Sequence, residues 1–318
     1  MTEILVLRHK IHGMVADRYA DALRERLPDT TVRLARTPDE ERDLVTDATV
    51  VTGSSFAPAL FDHAEDLELF ASTYAGYDHL PLSEFRDHGI ALTTASGVHG
   101  PNIAEYVLGA WLSMARGFLT ARRQQRDRVW QSFQADDFAG SRVCVVGMGA
   151  IGTAVLDRLD GFDIETVGVR HSPEKGGPAD EVYGYDDLHT ALADARYVAL
   201  ACPLTEETNG LLDADVFRTL HAETVLVNIA RGPVIETDAL VSALRRNHIG
   251  GAVLDVTDPE PLPEEHPLWN FENVLITPHN AGHTPSYYDR LADIVADNVE
   301  RARETGSWDG LRNQIDLR

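Results

Sequence analysis

Residues Arg142–Leu159 read "RVCVVGMGAIGTAVLDRL". An apolar strand runs into Gly147-x-Gly149-x-x-Gly152. A helical pattern follows, with Ile151, Val155 and Leu159 on one face. Gly147 permits the tight turn, Gly149 lets a pyrophosphate approach the backbone, and Gly152 lets helix and strand pack closely. The free N–H groups of the first helical turn, at Ala150, Ile151 and Gly152, suit a phosphate. A bare glycine triplet says little; between a strand and a helix it predicts a dinucleotide-binding turn.

The next strand ends in "ETVGVRHSP" (Glu165–Pro173). Such a unit usually carries an acid about 20 residues after the glycines, for a ribose hydroxyl. Arg170 stands there instead, followed by His171 and Ser172. An arginine can grip a 2′-phosphate with two parallel bonds. Arg170, His171 and Ser172 therefore predict NADP(H) as the preferred cofactor, with NAD(H) as an accepted alternative. A surface arginine with no ligand role is the plain alternative.

The strand–helix rhythm extends through the chain. Apolar runs at 3–9, 30–36, 49–53, 67–74 and 90–96 precede the glycine turn, and runs at 165–170, 196–203, 224–230, 251–256 and 273–278 follow it. Short buried runs alternating with helices predict parallel sheets with crossovers. The α/β class follows, with two doubly wound domains and a cleft between them. One long helix is expected from Pro101, a residue suited to a first helical position. Thr284 is expected to cap a final helix, with Pro285 in its first turn. The boundaries expected are 1–97 plus 286–318 for one domain and 98–285 for the dinucleotide-binding domain.

Charge narrows the function. The chain has 51 acids against 28 Lys and Arg, a net charge of −23. Lys10 and Lys175 are its only lysines. Nucleic-acid binding is excluded, because phosphate contacts need basic surface. Dispersed acids with few lysines suit a halophilic protein, whose self-repulsion salt would screen. No apolar run reaches about 18 residues, so no membrane span is expected. The N-terminus lacks a basic leader and cleavage site, and a cytoplasmic protein is expected. Cys144 and Cys202 lie in apolar runs and read as buried thiols. His9 and His12 hint at a metal pair, but no acids or cysteines complete a site, so no metal is assigned.

Beyond the glycine turn, Arg231, Glu260 and His279 each fall near a strand end, where side chains of such sheets face a ligand. Taken singly, each has a bland reading as a loop residue. Together with "GYDHLPL", "GVHGPNIAEYVLGAWL", "CPLTEETNGLL", "VNIARGPVIE", "LDVTDPEPLP" and "NVLITPHNAG", they resemble the D-isomer-specific 2-hydroxyacid dehydrogenase family. The resemblance includes members that reduce glyoxylate, hydroxypyruvate and other small 2-oxoacids. It implies a Rossmann cofactor domain, a flavodoxin-like substrate domain and a homodimer. It implies His279 as acid and base toward the substrate oxygen, Glu260 as its partner, and Arg231 as the carboxylate ligand. It further places Ala75, Gly76 and Tyr77 at the substrate. Cys202, Pro203, Thr208, Ala230 and Asp255 would lie beside the cofactor. For Asn102, Thr208 and Asn228, local turn bonding is an equal explanation. Asn280 and His283 depart from the family's commonest residues. Two alternatives stay open: a nicotinamide-sensing co-regulator of the same fold, and a phosphoglycerate dehydrogenase-like enzyme lacking a regulatory domain.

Overall fold

The computed structural model describes residues 2–317. The chain divides into two compact units, Met1–Val98 with His283–Arg318, and His99–Gly282. Each is built on one parallel sheet.

The first unit carries β1 (Glu3–Val6), β2 (Thr31–Leu34), β3 (Val50–Gly53), β4 (Leu69–Ser72) and β5 (Ala91–Thr93). Their order is β2-β1-β3-β4-β5, all parallel. This is the flavodoxin-like order, whose direction reverses between β1 and β3. β3 and β4 are buried along their whole length, because helices cover both faces of the sheet. On one face lie Ala16–Arg26 and the final helix Tyr287–Thr305, with Tyr19 stacked on Tyr288 at 5.1 Å. On the other, Phe56, Phe61, Phe70 and Phe85 form an aromatic cluster with centroids 4.7–5.6 Å apart.

The second unit contains β6 (Arg142–Val146), β7 (Glu165–Val169), β8 (Glu181–Tyr183), β9 (Tyr197–Leu200), β10 (Val225–Asn228), β11 (Gly251–Leu254) and β12 (Val274–Ile276). All seven are parallel, in the order β12-β11-β10-β9-β6-β7-β8. The chain starts in the middle at β6, runs outward to β8, then crosses back to β9. This is the doubly wound dinucleotide-binding order with one added strand, and its switch point lies between β6 and β9. Apolar side chains fill both faces.

Three local expectations need correction. The long helix from Pro101 is two helices, Gly100–Ala115 and Phe118–Asp127. Gly117 divides them at φ +64°, a left-handed residue that ends a helix without the penalty a side chain would bring. β8 escaped notice because Glu-Val-Tyr is short, half-buried and edged by a carboxylate. The final helix begins at Tyr287 rather than directly after Thr284; the Thr284 hydroxyl instead accepts the Ser286 N–H at 3.3 Å in the turn before it.

Phe85 is fully buried against Phe56, Phe61 and Phe70. Phe85→Ala should cost about 3–5 kcal/mol, through lost transfer energy plus a cavity. Urea denaturation checks this, and a loss below about 1 kcal/mol would contradict the packing described.

Candidate active site

The glycine turn follows β6 at the switch point. Gly147 adopts φ +101°, and a Cβ there would strike the backbone of Ala201 and Cys202 after β9. A Cβ on Gly152 would fall on the carbonyl oxygen of Gly147. The helix Ala150–Asp157 is thus seated directly on the turn. At Gly149 the same construction meets nothing within 4 Å, so the backbone is open where a pyrophosphate would lie. Ala150 is exposed at the helix start, and Ile151 and Gly152 complete its first turn.

A crevice of about 740 Å³ opens over this turn. Gly147 and Gly149 line it from β6, Arg170, His171 and Ser172 from β7, and Pro203 and Thr208 from the loop after β9. The Arg170 guanidinium donates to the Gly176 carbonyl at 2.6 Å, which fixes it. His171 Nδ1 lies 2.8 Å from the Glu207 carboxylate. Sequence reasoning missed Lys175, Tyr185, Glu206 and Glu207, which line the same crevice. Lys175 had a signal, since it is one of two lysines in an acid-rich chain. Cys202 is buried beside the turn, and burial pushes its thiol up to about 11. The residues fit a dinucleotide: an open glycine, a free helix start, and cations at the β7 end.

Local bonding accounts for three polar residues. The Thr208 hydroxyl donates to the Pro203 carbonyl at 2.6 Å and accepts the Thr205 N–H at 2.8 Å. Asn228 accepts the Ala230 N–H at 3.0 Å and donates to the Arg231 carbonyl at 3.1 Å. Asn102 donates to the Ala281 carbonyl at 2.8 Å.

The ends of β10, β11 and β12 carry the remaining candidates. Arg231 is exposed after β10, its guanidinium donating to the Ala230 carbonyl at 2.7 Å. Gly232 abuts the backbone of Thr257 and Asp258, so this turn packs on the segment that carries Glu260. One Glu260 oxygen accepts the Thr257 N–H at 3.0 Å; the other lies 3.1 Å from His279 Nδ1. His279 itself sits at φ +51°, a conformation uncommon outside glycine.

Asp255 holds that conformation. It is 3 % exposed. Its Oδ1 accepts the Thr277 hydroxyl at 2.6 Å and the Asn280 N–H at 2.7 Å; its Oδ2 accepts the Ala281 N–H at 2.9 Å. The His279 N–H donates to the Asp255 carbonyl at 2.8 Å. Tyr106 closes the network on Thr277 at 2.6 Å, and burial first, then the nearby Asp255 charge, pushes its phenol up to about 12.

In the first unit, Ala75, Gly76 and Tyr77 follow β4 at the carboxyl edge of the sheet, and the first two are exposed. Among the described residues, no group of three or more His, Cys, Asp or Glu could hold a metal, and no helix is long and apolar enough to cross a membrane.

Fold and glycine turn together define an NAD-binding α/β protein. The profile of the "D-isomer specific 2-hydroxyacid dehydrogenase, NAD binding domain" matches residues 108–281, and the chain belongs to that family. It is 34 % identical over 249 residues to a glyoxylate reductase of Thermofilum pendens, covering 76 % of this chain and 73 % of that one. To a glyoxylate/hydroxypyruvate reductase of Arabidopsis thaliana it is 33 % identical, covering 79 % and 80 %. A family member from Xanthobacter autotrophicus, solved with NADPH and MES, superposes with a TM-score of 0.79 at 30 % identity, over 100 % of this chain and 99 % of that one.

Replacing Asp255 by Asn puts a donor amide against backbone donors. Asp255→Asn should lower stability by about 1–3 kcal/mol, the cost of an unsatisfied buried group. An unchanged thermal midpoint would argue that the carboxylate does not hold this loop.

Proposed function

We propose that the protein reduces small 2-oxoacids to D-2-hydroxyacids, reversibly, with NADP(H) preferred over NAD(H). The His279–Glu260 contact, on the unit that bears the glycine turn, carries this reading. The bound nicotinamide cofactor would supply the hydride in reduction and accept it in reverse.

The protein's own groups would manage proton and charge. Glu260 on Nδ1 fixes the imidazole tautomer, so Nε2 is the atom left for the substrate oxygen. As imidazolium, His279 donates from Nε2 when the carbonyl is reduced; as neutral imidazole it takes the hydroxyl proton in oxidation. Glu260 orients the ring. Arg231 offers a planar pair of donors to the 2-oxoacid's carboxylate and keto oxygens. Ala75, Gly76 and Tyr77, on the first unit, are the further residues assigned to substrate binding, through their backbone. Asp255 and Ala230 are the residues that would hold the nicotinamide end of the cofactor.

Preference for the 2′-phosphate rests on Arg170, with His171 and Ser172 beside it; Lys175 adds a second full cation at the crevice. The rest of the reading is a homodimer, acid-rich enough for concentrated salt, in a reducing cytoplasm. The two free, buried cysteines are consistent with such a compartment.

His279→Gln should lower kcat by about 10²–10⁴-fold, the usual worth of a general acid–base group, while cofactor affinity stays within threefold or so. Stopped-flow NADPH oxidation with glyoxylate and hydroxypyruvate measures this, and an undiminished rate would refute the assignment. Loss of all turnover in the parent protein with every small 2-oxoacid would refute the reductase itself.

Arg170→Asp should lower the NADPH-to-NADH ratio of kcat/KM by at least about tenfold. An unchanged ratio would make Arg170 a surface residue.

A further inference from the structure

The crevice over the glycine turn holds more negative charge than a phosphate needs. Its full cations are Arg170 and Lys175, and two carboxylates, Glu206 and Glu207, line it with them. A pocket built only for a 2′-phosphate gains nothing from those acids, because like charge repels a dianion. The cofactor without that phosphate has different needs. Its ribose hydroxyls require an acceptor, and the usual one, an acid at the end of this strand, is absent: Arg170 stands there.

Glu207 brings a carboxylate to that place from another loop, the one after β9. Residues 205–209 form one hydrogen-bonded turn, in which the Asn209 N–H donates to the Thr205 carbonyl at 2.9 Å. The buried Thr208 hydroxyl ties the turn to the Pro203 carbonyl at 2.6 Å. Glu207 therefore leaves a braced loop. Its Oε2 lies 2.8 Å from Nδ1 of His171, the residue directly after Arg170, although 36 positions separate the two in sequence. Both side chains are exposed, and such a pair adds little stability; what it fixes is position. The imidazole thus holds the carboxylate against the end of β7. Among the described residues, Glu207 Oε1 has no hydrogen-bond partner, and the side chain lines the crevice. Arg170 does not neutralise this acid. Its guanidinium donates to the Gly176 carbonyl of its own loop at 2.6 Å, and among the described residues it makes no ion pair.

We propose that Glu207 is the ribose ligand for NAD(H). Its open oxygen accepts the 2′-hydroxyl of the adenosine ribose, the task for which β7 supplies no acid of its own. A carboxylate makes a strong, charge-assisted bond to a hydroxyl. When NADP(H) binds, Arg170 and Lys175 take the 2′-phosphate and Glu207 stays on His171. One crevice then holds an acceptor for the hydroxyl and donors for the phosphate, and so takes both cofactors. The inference rests on the reading of this crevice as NADP(H)-preferring and NAD(H)-accepting, and it names the residue that makes the second part possible.

Calorimetric titration of the whole protein at one salt concentration tests this with three nucleotides: NADH, NADPH, and NADH made with 2′-deoxyadenosine. The parent should bind NADH at least about tenfold more tightly than the deoxy form, the usual worth of a hydrogen bond to a charged group. Glu207→Ala changes an exposed side chain, so the fold is retained. It should weaken NADH by about tenfold, leave NADPH no weaker, and bind NADH and the deoxy form alike, since the partner of the hydroxyl is gone. Both cofactors weakened alike would make Glu207 a brace of its loop. NADPH alone weakened would make it a support for His171 against the phosphate. Either result overturns the assignment, as does a variant that binds all three as the parent does, or a parent that binds NADPH and no NADH. No step of the test requires turnover. A protein inert toward every 2-oxoacid would sink the reductase and leave the ribose contact standing. A parent that favours NADH would sink the preference assigned to Arg170 and not the role of Glu207.

Discussion

One buried carboxylate sets the geometry of the candidate acid–base residue. Asp255 ends β11 and accepts two backbone N–H groups and a hydroxyl from the segment after β12. The Ala281 N–H among them is buried and would otherwise be unsatisfied, so the carboxylate ties the segment after Pro278 to the end of β11. His279 lies inside that constraint, its own N–H returned to the Asp255 carbonyl and its φ driven positive. The side chain leaves the knot on the exposed side, where Glu260 meets it. Placement of the imidazole is thus decided by the backbone before Glu260 contributes, and the exposed ion pair need supply orientation rather than stability.

The same logic recurs along the sheet. Each candidate group stands where a parallel strand ends and the next crossover begins: Gly149 after β6, Arg170 after β7, Arg231 after β10, Glu260 after β11 and His279 after β12. Parallel pairing forces every strand to exit at one edge, so residues distant in sequence collect there without any contact having to recruit them. What the sequence must add is local. Gly152 seats the helix on the turn, and Gly232 lets the Arg231 loop rest on the segment leading to Glu260. Both are close approaches that a single methyl group would prevent.

Those two scales explain what could be read from the amino acids. The strands were legible because a parallel strand covered on both faces needs a continuous apolar run, as at "RVCVV" and "TVLVN". The glycine turn was legible because each glycine has a separate steric task. The break at Gly117 was not, since the helical pattern resumes on both sides of it and no proline marks the stop. β8 was hidden because a half-buried edge strand has no apolar run to show. At the site, residue types and order pointed to Arg231, Glu260 and His279. That Thr208 and Asn228 hold turns, and that Asp255 binds the backbone of the next loop, depends on where hydroxyls, amides and N–H groups converge in space. Spacing does not encode that.

Charge placement adds a further constraint. With acids spread over the surface, several arginines are matched twice: Arg142 by Glu165 and Glu181, Arg196 by Asp136 and Glu223, Arg26 by Asp289 and Asp293. An arginine's planar fork suits such carboxylates, which makes it a good structural cation. A lysine is a compact, mobile charge with no such fixed partner geometry. The two lysines of this chain stand in the loops after β7 and after β1, one on each sheet's carboxyl edge. Both loops also carry histidines, His171 in the first and His9 and His12 in the second. In a background this negative, Arg170 and Lys175 bring two full cations to the crevice over the glycine turn, at the edge where a parallel sheet holds its ligand.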